Sequence, residues 1–161
     1  MNMELKPDYI VGFVDAEGSF TIGYKKEREQ LFGMFSVGQS EERKPILQAL
    51  KVFFHCGNVS RTQRKGQQVS GGPYKASQDG YAYQVYAIRD LTIRIIPFFD
   101  EYPPILKKKE YETWRKAVLM IREGRHLTVK GKQEILSLKE AVHSLDEHPS
   151  VEPRAAKQTR F

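Results

Sequence analysis

Residues Tyr9-Ile10-Val11-Gly12-Phe13-Val14-Asp15-Ala16-Glu17-Gly18-Ser19-Phe20 decide how the rest of the chain is read. Pro7 stands just ahead of them, and its fixed φ and missing N–H suit the first position of a helix. Ile10, Phe13 and Val14 recur at helical spacing, while Gly12 and Ala16 fall four apart on one side. One strip of this helix is therefore nearly bare backbone, and a bare strip lets a second helix approach closely. Gly18 is expected to stop the helix, and Ser19-Phe20-Thr21-Ile22 opens a strand. Asp15 and Glu17 then crowd a helix C-terminus, which carries partial negative charge and favours a cation. A divalent metal would supply one.

The surrounding chain has 161 residues and a net charge of +6, with a pI near 9.4. That length suffices for one core. Residues 1–145 read as a single domain, and 146–161, with Pro149 and Pro153, as a tail. A basic balance points to an anionic partner such as nucleic acid. No run of 18 apolar residues is present, which argues against a helical membrane span. The N-terminus lacks signal or transit character, so the protein is expected to act where it is made, in an organelle or a prokaryotic cytoplasm. Cys56 is the single cysteine and excludes an internal disulfide framework. His55, His126, His143 and His148 share no zinc spacing with Cys56, and Gly71-Gly72 lacks the Lys-Ser/Thr of a P-loop.

Beyond the first helix, residues 19–37 read as a hairpin. Phe20, Ile22 and Tyr24 alternate with Thr21, Gly23 and Lys25 around a charged tip at Lys26–Gln30. Leu31, Gly33, Phe35 and Val37 alternate with Phe32, Met34 and Ser36, so one face belongs to a core and the other must meet something. Ser40 is placed to cap a helix carrying Ile46, Leu47, Leu50, Phe53 and Phe54, closed by Gly57. Strand character returns at Val59–Arg64 and Tyr81–Ile88, around a long glycine-rich loop. This region holds Arg61, Arg64, Lys65 and Lys75, with Gln67, Gln68 and Gln84 among its glutamines; amide and guanidinium groups suit base edges. Asp90 caps a short helix that Pro97 and Pro103-Pro104 interrupt. Further helices follow around Tyr111, Trp114 and Val118 and around Ile135, Leu138 and Val142. The order αββαββα with C-terminal helices is α+β, an antiparallel sheet covered by helices on one face.

Ile10-Val11-Gly12-Phe13-Val14-Asp15-Ala16-Glu17-Gly18 resembles the signature helix of the LAGLIDADG homing endonucleases, in their single-motif, homodimeric type. The similarity runs through roughly residues 5–125. It implies a saddle-shaped sheet and a site-specific, intron-homing DNA endonuclease that hydrolyses phosphodiesters at a long near-palindromic site, leaving short 3′ overhangs. It implies Mg²⁺ as cofactor, with Mn²⁺ substituting and Ca²⁺ supporting binding without cutting. Glu17 takes the metal-binding position, with the Ala16 carbonyl beside it; many relatives carry Asp where this chain has Glu17. Gln39, in Phe35-Ser36-Val37-Gly38-Gln39, inherits the water-positioning role, and Arg43 a place in the pocket. The lysine near the reacting phosphate is assigned to Lys107, with Lys108 and Lys109 as alternatives. Gly12, Phe13 and Ala16 form the expected dimer interface. One carboxylate per chain is thin for metal catalysis, and two copies packed on Gly12 and Ala16 would pair their Glu17 side chains.

A free sheet face in the major groove would read bases through Gly23, Lys25, Phe32, Met34, Ser36, Ser60, Thr62, Arg64 and Gln84, with Gln67, Gln68 and Lys75 from the loop. Lys26, Arg28 and Arg61 complete the expected DNA contacts, Lys26 and Arg28 on phosphates. The competing reading is an RNA maturase, an intron splicing cofactor on the same fold. A DNA-binding regulator without catalysis is a third.

Overall fold

The computed structural model describes residues 3–62 and 80–146. Helix α1 (Pro7–Glu17) leads into a hairpin of β1 (Gly18–Lys25) and β2 (Gln30–Ser40), then α2 (Lys44–Phe54). Strands β3 (Asn58–Thr62) and β4 (Gly80–Val85) follow, then α3 (Ile88–Asp90), a π turn at Leu91–Ile95, α4 (Ile96–Glu101), α5 (Lys108–Arg122) and α6 (Val129–Asp146). The four strands form one antiparallel sheet in the order β1-β2-β4-β3. This is the α+β arrangement that the sequence predicts.

Alternation sorts the sheet into two faces. Phe20 and Ile22 of β1, Leu31, Phe35 and Val37 of β2, and Tyr83 and Val85 of β4 are buried. They meet α2, α5 and the helical run from α3 to α4. Phe20 is the centre of this layer, with ring centroids 5.1 Å from Trp114, 5.3 Å from Tyr111 and 5.4 Å from both Phe35 and Phe99. Trp114 Nε1 donates to the Thr21 carbonyl at 3.1 Å, which ties α5 to the edge strand β1. Asp100 holds Tyr111 and a bidentate Arg115, both 2.8 Å arms ending on its two oxygens. The Arg115 bonds hold the Asp100 carboxyl below the usual carboxylate range. That contribution to stability is present above the ordinary carboxylate pKa and is lost as pH falls through the lowered one.

As expected, helix α1 ends at Glu17 and Gly18 follows it, in an extended conformation with φ −82° and ψ 160°. Its glycine is steric: a Cβ would lie 2.6 Å from Val14 Cγ1 and 2.8 Å from the Val14 oxygen. Other local expectations need correction. Ser40 makes no side-chain cap; a short 3₁₀ turn, Glu41–Arg43, intervenes before α2. His55, in a left-handed conformation, ends α2 ahead of Gly57. Strand β4 stops at Val85, and the next helix starts at Ile88, not at Asp90. Pro97 does not break that helix, because the π turn directly before it accommodates the missing N–H.

Substituting Gly18→Ala is expected to cost about 2 kcal/mol through the Val14 collision. Urea denaturation of the two proteins measures it; an unchanged midpoint would show that the turn relaxes freely.

Candidate active site and nucleic-acid face

The C-terminal end of α1 holds the densest arrangement of predicted site residues. No basic residue lies in its last turn, so its two acids need partners from elsewhere. Asp15 finds them in the backbone: Ile105 N donates to Oδ2 at 2.9 Å, and Leu106 N and Lys107 N donate to Oδ1, each at 3.2 Å. Three successive N–H groups thus converge on one carboxylate, just ahead of α5. The charge that is unfavourable for α1 is favourable at the start of α5. Asp15 is compensated without any metal.

The same contact fixes the lysine. Lys107 Nζ donates to the Gly18 carbonyl, which puts an ammonium group beside the residue that follows Glu17. Lys108 and Lys109 are exposed on the first turn of α5. Of the three lysines, Lys107 is the one tied to the α1 end. Glu17 itself is exposed. Among the described residues no group of three or more His, Cys, Asp or Glu side chains clusters as a metal site. The donors at this end are the Glu17 carboxylate and the last carbonyls of a helix, which lack intrahelical partners. These are hard oxygen ligands, the kind that Mg²⁺ takes, but one chain offers a single free acid.

Gln39 lies near the end of β2, half-buried and in register with Tyr81. Because Gly18, the first residue of β1, pairs with Val37, Gln39 runs past β1 at the end where α1 stops. Arg43 is exposed at the capping position of α2. Gly12 and Ala16 are both exposed on α1, and the space where a Gly12 Cβ would go has no atom within 4 Å. Phe13, half-buried, stacks on Tyr9 with centroids 6.0 Å apart.

The sheet face away from the helices carries most of the predicted base-reading positions. Registers Gly23↔Phe32, Lys25↔Gln30, Ser36↔Gln84, Ser60↔Ala82 and Thr62↔Gly80 put Gly23, Lys25, Phe32, Met34, Ser36, Ser60, Thr62 and Gln84 on that side. Ser60 Oγ donates to Gln84 Oε1 at 3.4 Å, and Gln84 Nε2 points to Met34 Sδ at 3.8 Å. Arg61 pairs with Tyr81 and takes the other face of β3. Lys26 and Arg28 are exposed in the 3₁₀ turn at the hairpin tip. Arg64, Gln67, Gln68 and Lys75 lie outside the described residues, as does the tail. Sequence reading missed Asp15 as an anchor, since its partners are ninety positions away. It also missed Tyr86, whose spacing of two from Gln84 was a signal that it shares the open face. No described helix is long and apolar enough to cross a membrane.

The family model described as LAGLIDADG endonuclease matches residues 10–118. A probable intron-encoded endonuclease 2 of Neurospora crassa is 30% identical over 136 residues, covering 84% of this chain but 27% of that protein. The solved structure of I-SmaMI bound to uncleaved DNA target in the presence of calcium ions superposes with a TM-score of 0.72 at 29% identity, covering 88% of this chain and 46% of the other. The homing endonuclease I-TnaI superposes with a TM-score of 0.71 at 28% identity, covering 90% of this chain and 98% of that one. The chain thus spans about a quarter of the Neurospora protein, about half of I-SmaMI and nearly all of I-TnaI.

Asp15→Ala removes the acceptor for three backbone N–H groups and is expected to lower stability by about 2 kcal/mol, with Asp15→Asn recovering part of it. Urea titration checks this; equal midpoints for Asp15→Ala and the parent would mean that water replaces the carboxylate without loss.

Proposed function

The chain belongs to the LAGLIDADG endonuclease family, and we propose that two copies of it act as one site-specific, double-strand DNA endonuclease dependent on Mg²⁺. The observation that carries this reading is the division of labour at the end of α1. Asp15 is bonded to the start of α5, Lys107 is brought to the Gly18 carbonyl, and Glu17 is left free. A metal held there would supply an activated water and neutralise charge on the phosphate. Glu17, with the Ala16 carbonyl beside it, would hold the ion. Lys107 stabilises the charge that grows on the phosphate oxygens, and Gln39 orients the attacking water from the end of β2.

Gly12 supports the pairing of chains. Glycine within a helix costs roughly 1 kcal/mol relative to alanine, and inside this protomer nothing approaches the space that it leaves open. A second α1 packed against Gly12 and Ala16 gives that glycine a use, and it places two Glu17 side chains about one twofold axis. A twofold protein reads a near-palindromic site. The open sheet faces would then lie in the major groove, with Lys26 and Arg28 holding phosphates.

With a selected DNA target and Mg²⁺, Glu17→Gln is expected to bind and not cut, and Lys107→Met to cut about 100-fold more slowly. Cleavage by Glu17→Gln at the parent rate refutes the metal assignment. Gly12→Arg is expected to fold, since the protomer has room for the side chain, yet to sediment as an 18.6 kDa particle that does not cut. A parent protein that severs both strands as a monomer of that mass overturns the pairing.

A further inference from the structure

The open face of the sheet is polar along most of its length, except at one corner. There Phe32 of β2 crosses the strand pair and rests on Gly23 of β1, its register partner. A Cβ at Gly23 would lie 2.1 Å from Phe32 Cζ, 2.4 Å from Cε1 and 2.7 Å from Cε2. The outer end of the ring therefore occupies the space directly over the glycine. Tyr86, just past β4 and 52% exposed, sets its ring 6.2 Å from that of Phe32 at an interplanar angle of 44°. Lys25 Nζ stands 5.4 Å from the Phe32 centroid. Glycine below, an aromatic ring on one flank and an ammonium group on another leave Phe32 little freedom. A large apolar side chain is thus braced on an otherwise hydrogen-bonding surface, with its ordering cost met before any ligand arrives.

We infer that Phe32, seated on Gly23 and braced by Tyr86 and Lys25, is a specificity-determining residue that reads the 5-methyl group of a thymine in each half-site. The inference rests on the proposed DNA reading and deepens it. Phe32 offers no donor or acceptor, so it discriminates bases only through an apolar group. In the major groove, thymine is the one standard base that presents such a group. Tyr86 acts through Phe32 as a positioning residue, and the glycine at position 23 is required by the ring that lies on it. Met34, the next residue outward on β2, is engaged by the Gln84 amide, which leaves the Phe32 corner as the apolar contact held by rings.

The test begins with selection of DNA sites from a random library by the full chain in Ca²⁺. Each thymine of the selected site is then replaced singly by uracil, which removes the methyl group and keeps every hydrogen-bonding atom of the pair. One position per half-site is expected to bind about fourfold more weakly as uracil, the effect of one buried methyl group. Phe32→Ala is expected to bind thymine and uracil equally at that position while retaining the rest of the selected sequence. Tyr86→Ala and Gly23→Ala should shrink the same ratio, with melting temperatures recorded beside them. Selected sites with no uracil-sensitive position, or a sensitivity that survives Phe32→Ala, overturn the inference and leave the endonuclease reading standing. Failure to select any sequence, with no cutting in Mg²⁺, overturns both.

Discussion

A single carboxylate joins the two halves of the proposed catalytic apparatus. Asp15 leaves the end of α1 and takes three N–H bonds from residues 105–107. This exchange solves two terminal problems together. A helix C-terminus disfavours an acid, and the start of α5 has backbone donors without intrahelical acceptors. Placing one group between them turns an unfavourable position into a clamp. Lys107 is the last donor of the clamp, and its ammonium group reaches the Gly18 carbonyl. With Asp15 and Lys107 committed, Glu17 remains exposed and carries its charge outward.

The sheet gives the second constraint. Period-two alternation commits each strand to two environments. Phe20, packed by four aromatic rings within 5.5 Å, fixes which side is the core. Once that side is set, the registers leave no freedom for Lys25, Ser36, Ser60 or Gln84, which must share the other side. A shift of one residue in any pairing would exchange the two sets. Open face and core are therefore specified by one decision.

Much of this was legible in the sequence because it depends on short periods. The extent of α1, its Pro7 start, the first hairpin and the buried faces of α2, α5 and α6 follow from spacings of two, three and four residues. Glu17 and the lysine run at 107–109 came forward as candidate site residues only through the resemblance, and spacing does not show that Lys107 alone among the three bonds the Gly18 carbonyl. What stayed hidden depends on partners distant in the chain or on packing. Asp15 reads as a second acid until its bonds to Ile105 and Lys107 are seen. The π turn before Pro97 has no local signature, so the proline suggested a break that the helix avoids. Arg61 was grouped with its charged neighbours, although alternation sends it to the opposite face.

Three glycines near the start of the chain have different causes, and the contrast bears on assembly. Gly18 is required by Val14, which would meet any Cβ at 2.6 Å. Gly23 is required by the Phe32 ring lying over it. Both have a reason inside the protomer. Gly12 has none: its surroundings are open, its backbone is helical, and its helix would gain from a side chain there. A residue that weakens its own element without relieving a collision points to a neighbour beyond the protomer. The face that it opens also bears Ala16, the residue immediately before the free carboxylate of Glu17. Close approach of a second helix along that face would bring a second acid to the first, and an ion between two such acids meets the charge requirement that α1 alone leaves unmet.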